Sequence, residues 1–331
     1  MDLEDKKILI TGSDGFVGSH LVERFLEENC KVQAFVFYNS SNKWGWLDSL
    51  KKDQLSKINV IAGDIRDYNM VNKAVKGVDI VCHLAALIGI PYSYVAPESY
   101  IDTNVKGTLN IVQAAKINNV KKVIITSTSE TYGSALYVPI DEKHPYQPQS
   151  PYSASKIAAD AIALSYYNSF NTPVSIIRPF NIYGPRQSAR AVIPTIVTQI
   201  LQKTDKVELG NLTSTRDFTY VKDTCEAYVK SIKTDNIEGE VINIGNSKEI
   251  SIKDLAEKIK DLMHSNAEIK SRTERKRIKS SEVNRLNADN SKALRLINWK
   301  PIYSLDDGLK LTIEWFSKKE NLDFYKLGYN I

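Results

Sequence analysis

Lys7-Ile8-Leu9-Ile10-Thr11-Gly12-Ser13-Asp14-Gly15-Phe16-Val17-Gly18 joins a short apolar run to a glycine-rich turn, and Leu21, Val22, Phe25 and Leu26 follow at helical spacing. An uninterrupted apolar run of this length reads as a strand buried on both faces. Strand, glycine turn and helix therefore stand in the order a dinucleotide needs. Gly12 permits the tight turn, Gly15 lets the backbone approach a pyrophosphate, and Gly18 lets helix and strand pack closely, while the helix N-terminus faces negative charge. Without a ligand the same glycines would make only a turn. With one, Gly12, Asp14, Gly15, Phe16, Val17 and Gly18 are the first cofactor-binding candidates.

Working outward, apolar runs recur at Ile8 to Thr11, Val32 to Phe37, Ile58 to Ala62, Ile80 to Leu84, Val123 to Ser127 and Val174 to Arg178, separated mostly by helix-like segments. This alternation predicts an α/β fold, a doubly wound parallel Rossmann sheet. After Pro179, Pro, Gly and Asn punctuate shorter elements, with a strand at Glu240 to Ile244 and a helix at Ile252 to Met263. The expected division is a dinucleotide-binding lobe over 1–180 and a smaller C-terminal substrate-binding lobe over 181–331, partly interleaved with the sheet. A ligand cleft belongs between them, at the carboxyl ends of the strands.

With 331 residues, 42% hydrophobic, the chain can bury a large core. Its apolar runs are too short to span a bilayer, and Met1-Asp-Leu-Glu-Asp5 lacks a signal-peptide pattern, so a cytoplasmic protein without a membrane partner is expected. Cys30, Cys82 and Cys225 are isolated, and the four histidines form no ligand pair, so no metal site is expected. The net charge of +5 owes much to Lys270-Ser-Arg-Thr-Glu-Arg-Lys-Arg-Ile-Lys279, which reads as a solvated loop. No groove-reading motif accompanies it, and nucleic acid is not an expected partner.

Tyr152-Ser-Ala-Ser-Lys156 places a phenol and an ammonium on one helix face, where the ammonium can lower the phenol pKa and let it take a proton from a sugar hydroxyl. Alone, this spacing fits many surface helices. Its place downstream of the glycine turn and of Ser127-Thr128-Ser129-Glu130 makes hydride chemistry on an alcohol the better reading.

Seven motifs occur in order: Thr11-Gly-x-x-Gly-Phe-x-Gly18, Gly63-Asp-Ile-Arg-Asp67, His83-Leu-Ala-Ala86, Asn104-Val-Lys-Gly-Thr108, Ser127-Thr-Ser-Glu-Thr-Tyr-Gly133, Tyr152-x-x-x-Lys156 and Arg178-Pro-Phe-Asn-Ile-Tyr-Gly-Pro-Arg186. Together they resemble the extended short-chain dehydrogenase/reductases, the nucleotide-sugar epimerases and dehydratases. The likeness continues to Asn298-Trp-Lys-Pro301 and Ser304-Leu-Asp-Asp-Gly-Leu309. It implies that Asp64 and Ile65 flank the adenine, that Leu84, Ala85, Ala86 and Ser127 line the cofactor, and that Tyr152 is the base. Lys156 would bind the nicotinamide ribose, and Ser127 or Thr128 the substrate hydroxyl. Asn181, Arg186, Arg216 and Arg277 resemble substrate-binding positions, the arginines being otherwise surface charges. The resemblance further implies a homodimer. NAD is the expected cofactor, with NADP as the alternative, because Phe35-Val-Phe-Tyr-Asn-Ser-Ser-Asn-Lys43 lacks the acidic residue that usually meets the ribose hydroxyls, while Ser40, Ser41 and Lys43 could meet a phosphate.

Branches of this family differ after C4 oxidation. A 4,6-dehydratase must also remove the C5 proton and expel the C6 hydroxyl, which needs a further acid/base group. Glu130, two residues past Thr128 at a strand end, is expected to project to the same side. Ser129 stands where dTDP-glucose dehydratases have Asp, which leaves Glu130 as both base and acid. Arg216-Asp217-Phe218 resembles dehydratases and epimerases more than decarboxylases. Tyr38 to Asp48, Ile88 to Tyr94 and Gly184 to Pro194 resemble the dehydratases of the legionaminic acid pathway, implying UDP- or GDP-linked N-acetylglucosamine, with Trp44 and Trp46 either packing or touching sugar. The alternatives are a C4 epimerase or nucleotide-glucuronate decarboxylase of the same fold, and a non-catalytic NAD(P)-binding regulator.

Overall fold

The computed structural model describes residues 1–325. Its strands in chain order are β1 (Lys7–Thr11), β2 (Lys31–Phe37), β3 (Ile58–Gly63), β4 (Ile80–His83), β5 (Lys122–Thr126), β6 (Val174–Pro179), β7 (Asn181–Tyr183), β8 (Lys206–Leu209), β9 (Thr215–Tyr220), β10 (Val241–Ile244), β11 (Glu249–Ser251) and β12 (Glu268–Ser271). Seven of them form one sheet in the order β10-β6-β5-β4-β1-β2-β3, with every neighbouring pair parallel. The strand order reverses beside β1, and that switch point is where a doubly wound sheet opens a crevice.

Period-two alternation divides the apolar runs between two cores. Ile8 and Ile10 point into one, with the helices Phe16–Glu27 and Val221–Lys233. Leu9 points into the other, with Tyr68–Val75, Gly107–Ile117 and Pro151–Phe170. Val81 and Cys82, and likewise Val123 and Ile124, divide the same way. Such strands are continuous apolar runs because neither face meets water. All three cysteines are buried, free thiols.

β10 comes from beyond residue 181 yet pairs with β6, so the main sheet takes strands from both halves of the chain. The later segments add a three-stranded sheet, β11-β9-β7, and a two-stranded one, β12-β8. Trp46 packs against Trp315, Phe324 and Tyr325 at centroid separations of 5.4, 5.0 and 5.6 Å. Trp44 packs against the larger core. Both tryptophans are packing residues, and the sugar-contact alternative falls away.

No helix among the described residues is long and apolar enough to cross a membrane. Among the same residues, no group of three His, Cys, Asp or Glu side chains could hold a metal ion.

His83 is buried at the end of β4, its ring bonded to the Thr11 hydroxyl at 2.8 Å and the Thr108 hydroxyl at 3.2 Å. Burial, helped by Lys156, pushes its pKa down to about 3; burial with Arg186 does the same to His20. Both rings thus stay neutral in the fold while the unfolded chain takes up protons below its ordinary value of 6.5. Stability from these rings is fully present above that value and is lost as pH falls towards about 3. Each contributes a slope of about 1.4 kcal/mol per pH unit within that window. Urea unfolding at a series of pH values is expected to give a shallower acid limb for His83→Gln than for the unaltered chain. An identical slope contradicts the neutral, buried assignment.

Candidate active site

A cavity of about 1430 Å³ opens over the carboxyl ends of the central strands and runs between the two halves of the chain. Its inner wall begins at the glycine turn. Gly12 has φ +71°, and a Cβ there would lie 2.9 Å from the Ala85 backbone. A Cβ on Gly18 would collide with the Gly12 carbonyl, so this helix reaches the strand only with glycine there. The helix Phe16–Glu27 has Gly15 as N-cap, no side-chain cap and no acid in its first turn. Its first amide groups therefore keep their donors for an anion, and Gly15, Phe16 and Val17 line the cavity beside them. This is a fit for a dinucleotide pyrophosphate.

The turn is braced from both sides. Thr11 Oγ accepts from the backbone amides of Leu84 and Ala85 at 3.1 and 3.2 Å, which places the Leu84 to Ala86 loop on the wall. Asn104 then fixes Leu87 by accepting from its amide at 2.8 Å and donating to its carbonyl at 2.9 Å. Asp64 and Ile65 line the outer end, where Asp64 forms an ion pair with Arg66 that holds its carboxyl below the ordinary range.

Across the cavity, Ser150 caps the helix Pro151–Phe170 by accepting from Ser153 N, while Ser153 Oγ accepts from Ser150 N. Pro151 at the first helical position completes a strong start signal. Tyr152 thus sits in the first turn, on the cavity wall with Thr126, Ser127, Thr128 and Glu130. Burial drives the Tyr152 phenol above its ordinary pKa; the Thr128 hydroxyl bond opposes this, and the Glu130 charge adds to the rise. Burial thus outweighs the lowering expected from Lys156. Lys156 Nζ instead donates to the Thr126 carbonyl at 2.7 Å, and burial lowers its own pKa against the pull of Asp160.

Several expectations need correction. Thr128 is extended, but Ser129–Tyr132 is a single 3-10 turn capped by Thr128, so Glu130 reaches the wall by that turn and not by strand alternation. The same turn buries Ser129 away from the cavity lining. Lys156 is also absent from that lining. Arg186 turns to the first helix, donating to Glu23 at 2.7 Å and to Ser19 at 3.3 Å, and does not line the cavity. Ser127 touches the cavity, yet its hydroxyl donates to Asp160 at 2.5 Å. On β9, alternation puts Arg216 and Phe218 on the wall, whereas Asp217 is buried and accepts from the amides of Asn246, Ser247 and Ala288. Asp217, the residue that sets this pattern apart from the Arg-Ser-Phe of decarboxylases, is therefore a β9 anchor and not a cavity residue.

Asn181, Arg216 and Arg277 all line the cavity. Asn181 Oδ1 and Arg277 Nη1 are buried without a hydrogen-bond partner among the described residues. Arg277 stands 3.8 Å from Glu130, and Arg216 3.5 Å from Glu282. Burial pulls the Arg216 pKa down, with Glu130 opposing. The basic run at 270–279 is accordingly not a solvated loop throughout, since Arg275 and Arg277 both line the cavity.

The family model described as GDP-mannose 4,6 dehydratase matches residues 9–312. The chain belongs to this family. It is 35% identical over 328 residues to a UDP-N-acetyl-alpha-D-glucosaminuronate decarboxylase of Bacillus cytotoxicus, covering 96% of this chain and 99% of the relative. A UDP-N-acetylglucosamine 4-epimerase from Methanobrevibacter ruminantium M1, solved with UDP-N-acetylmuramic acid, superimposes with TM-score 0.85 at 32% identity over 95% of this chain and 99% of its own. The dTDP-glucose 4,6-dehydratase DesIV from Streptomyces venezuelae, solved as a double mutant with NAD and DAU, gives TM-score 0.87 at 27% identity, covering 95% and 98%. The protein is thus an NAD-dependent member of the extended short-chain dehydrogenase/reductases, in a family of nucleotide-sugar dehydratases, epimerases and decarboxylases.

Sequence reasoning passed over the ion pair beneath this wall. Arg178, on β6, has no solvent exposure and donates to Asp160 at 2.8 Å, to Tyr132 at 2.6 Å and to Tyr146 at 3.0 Å. An acidic residue inside the apolar helical stretch Ile157 to Leu164 was its visible signal. Removing one member strands the other charge, at a cost of about 3–5 kcal/mol. Arg178→Met is therefore expected to lower the urea midpoint by that equivalent with its m-value unchanged. A loss below about 1 kcal/mol contradicts the anchoring role.

Proposed function

We propose that the protein is a nucleotide-sugar 4,6-dehydratase that converts N-acetylglucosamine linked to UDP or GDP into its 4-keto-6-deoxy form. The observation that carries this reading is Glu130, only 12% exposed, on one wall with Thr128 and Tyr152 and close enough for its charge to raise the phenol pKa. Epimerisation at C4 needs no second carboxylate. Dehydration does, because a proton must leave C5 and an oxygen must leave C6.

The chemistry that bound NAD supplies is hydride acceptance from C4 and its return to C6. Burial within the protein favours the neutral phenol, and the positive charges of Lys156 and of NAD would offset it, so that Tyr152 as phenolate takes the C4 hydroxyl proton while the ketone forms, with the Thr128 hydroxyl bonded to it. The new ketone makes the C5 proton acidic, and Glu130 removes it. With Ser129 turned away from the cavity, Glu130 returns that proton to the departing C6 oxygen, which leaves as water; as hydride reaches C6 of the resulting 5,6-ene, a proton from solvent goes to C5, and the proton held by Tyr152 is released to solvent. Arg216 and Arg277 supply positive charge for the diphosphate, and Asn181 a free acceptor for the nucleotide or sugar. The names of two relatives, a decarboxylase and an epimerase of N-acetylated sugars, support the N-acetyl substrate. A second reading, decarboxylation of a uronic acid, draws on the Bacillus relative and on the guanidinium of Arg277 beside Glu130.

Incubation with UDP- and GDP-N-acetylglucosamine deuterated at C4 is expected to give a product lighter by one water, with the label at C6. Label recovered only at C4 establishes an epimerase, and carbon dioxide released from the uronic acid form establishes a decarboxylase. Glu130→Gln preserves size but removes the carboxylate, so both water loss and solvent exchange at C5 are expected to fail while nucleotide binding persists. Tyr152→Phe is expected to slow turnover about a hundred- to ten-thousand-fold, the range of general-base assistance. Near-normal turnover by either variant overturns the role assigned to it.

A further inference from the structure

β2 ends at Phe37, and the residues that follow, Tyr38 to Lys43, carry no carboxylate. A carboxylate nevertheless stands at the end of that strand. Asp14, carried by the glycine turn, accepts from the Phe37 backbone amide through Oδ2 at 3.2 Å. Asp14, Phe37 and Gly15 all line the cavity. The backbone of Asp14 is held from the outside as well, because its carbonyl accepts from Trp46 N at 3.0 Å. Trp46 is itself anchored among Trp315, Phe324 and Tyr325.

The groups that could receive a phosphate at this end are either paired or off the cavity wall. Arg66 lines the cavity but is spent on Asp64 in a two-oxygen contact. The Ser41 hydroxyl donates to Asn39 at 2.6 Å, and Asn39 also takes the Lys43 amide and carbonyl, closing a tight turn; Ser40, Ser41 and Lys43 do not line the cavity.

We propose that Asp14 is the residue that selects NAD over NADP, its carboxylate accepting hydrogen bonds from the adenosine ribose hydroxyls and repelling a phosphate at the 2′ position. The carboxylate that usually sits on β2 is replaced here by one delivered from the preceding turn and held in place by the β2 backbone. A carboxylate can accept from both hydroxyls of a ribose diol but has no proton to offer a phosphate. Two like charges at contact distance in partly screened surroundings shift binding by about tenfold to several hundredfold.

Binding of dinucleotides alone tests this without reference to the sugar reaction, so its failure is distinguishable from failure of the dehydratase reading. By isothermal titration the unaltered protein is expected to bind NAD at least about tenfold more tightly than either NADP or the 2′-deoxyadenosine analogue of NAD. Equal binding of NAD and NADP overturns the proposal even if no variant folds. Asp14→Asn, which keeps the shape and one acceptor, is expected to bind NADP about tenfold or more tightly than the unaltered chain does, while its NAD affinity falls less. Lys43→Ala is expected to leave both affinities as they were. A preference for NAD that survives Asp14→Asn, or one that moves with Lys43→Ala, overturns the proposal.

Discussion

Arg178 and Asp160 have almost no contact with solvent, and each makes the other's burial tolerable. Their pairing ties the end of β6 to the helix Pro151–Phe170, and Ser127 joins through the same carboxylate oxygen at the end of β5. Tyr132 extends the network to Asn243 on β10. Thr128 and Glu130 leave the chain immediately after Ser127, and Tyr152 lies two helical turns before Asp160. The positions of Thr128, Glu130 and Tyr152 on the cavity wall are therefore tied to one buried pair. Its guanidinium also lies over the rings of Tyr132 and Tyr146, at 4.7 and 5.1 Å, so the charge is held by aromatic faces as well as by oxygen atoms.

The sheet was legible because its inner strands are buried on both faces, which leaves apolar runs between helical segments, while the edge strand β3, with Asn59 and Ala62 exposed, was legible from its apolar residues alone. The strand ends came within a residue or so: Val123 to Ser127 was expected and Lys122–Thr126 is present. Tyr152 and Glu130 were legible as cavity residues because short, local motifs carry them to the strand ends. Ser129 and Arg186 were not, for a shared reason. Which way a single side chain turns depends on a 3-10 turn in one case and on Glu23, far away in sequence, in the other. The Asp14–Phe37 bond was equally invisible, since only the folded sheet brings the two residues together.

Arg277 illustrates the same limit from the charged side. Within its basic run composition alone does not separate it from Lys276 or Lys279, and only the family resemblance singled it out. Only the pairing of β12 with β8, which carries the run past Leu209 and Gly210, turns its guanidinium towards Glu130. Charge that looks like solubility in one dimension becomes part of a binding wall in three.

β10 gives the fold a dependence on the order of synthesis. Chains emerge from the ribosome N-terminus first, and domains generally fold as units. Here the sheet lacks its last strand until Ile244 has been made, because β10 covers the outer edge of β6. Asn243 on that strand also receives the Tyr132 hydroxyl that bonds Arg178. The chain up to β6 thus leaves the ribosome with an open strand edge and with the Tyr132 hydroxyl lacking its acceptor, although Arg178 already has Asp160, Tyr132 and Tyr146. Residues before β10 therefore do not complete the sheet by themselves, and the chain closes it only from its second half.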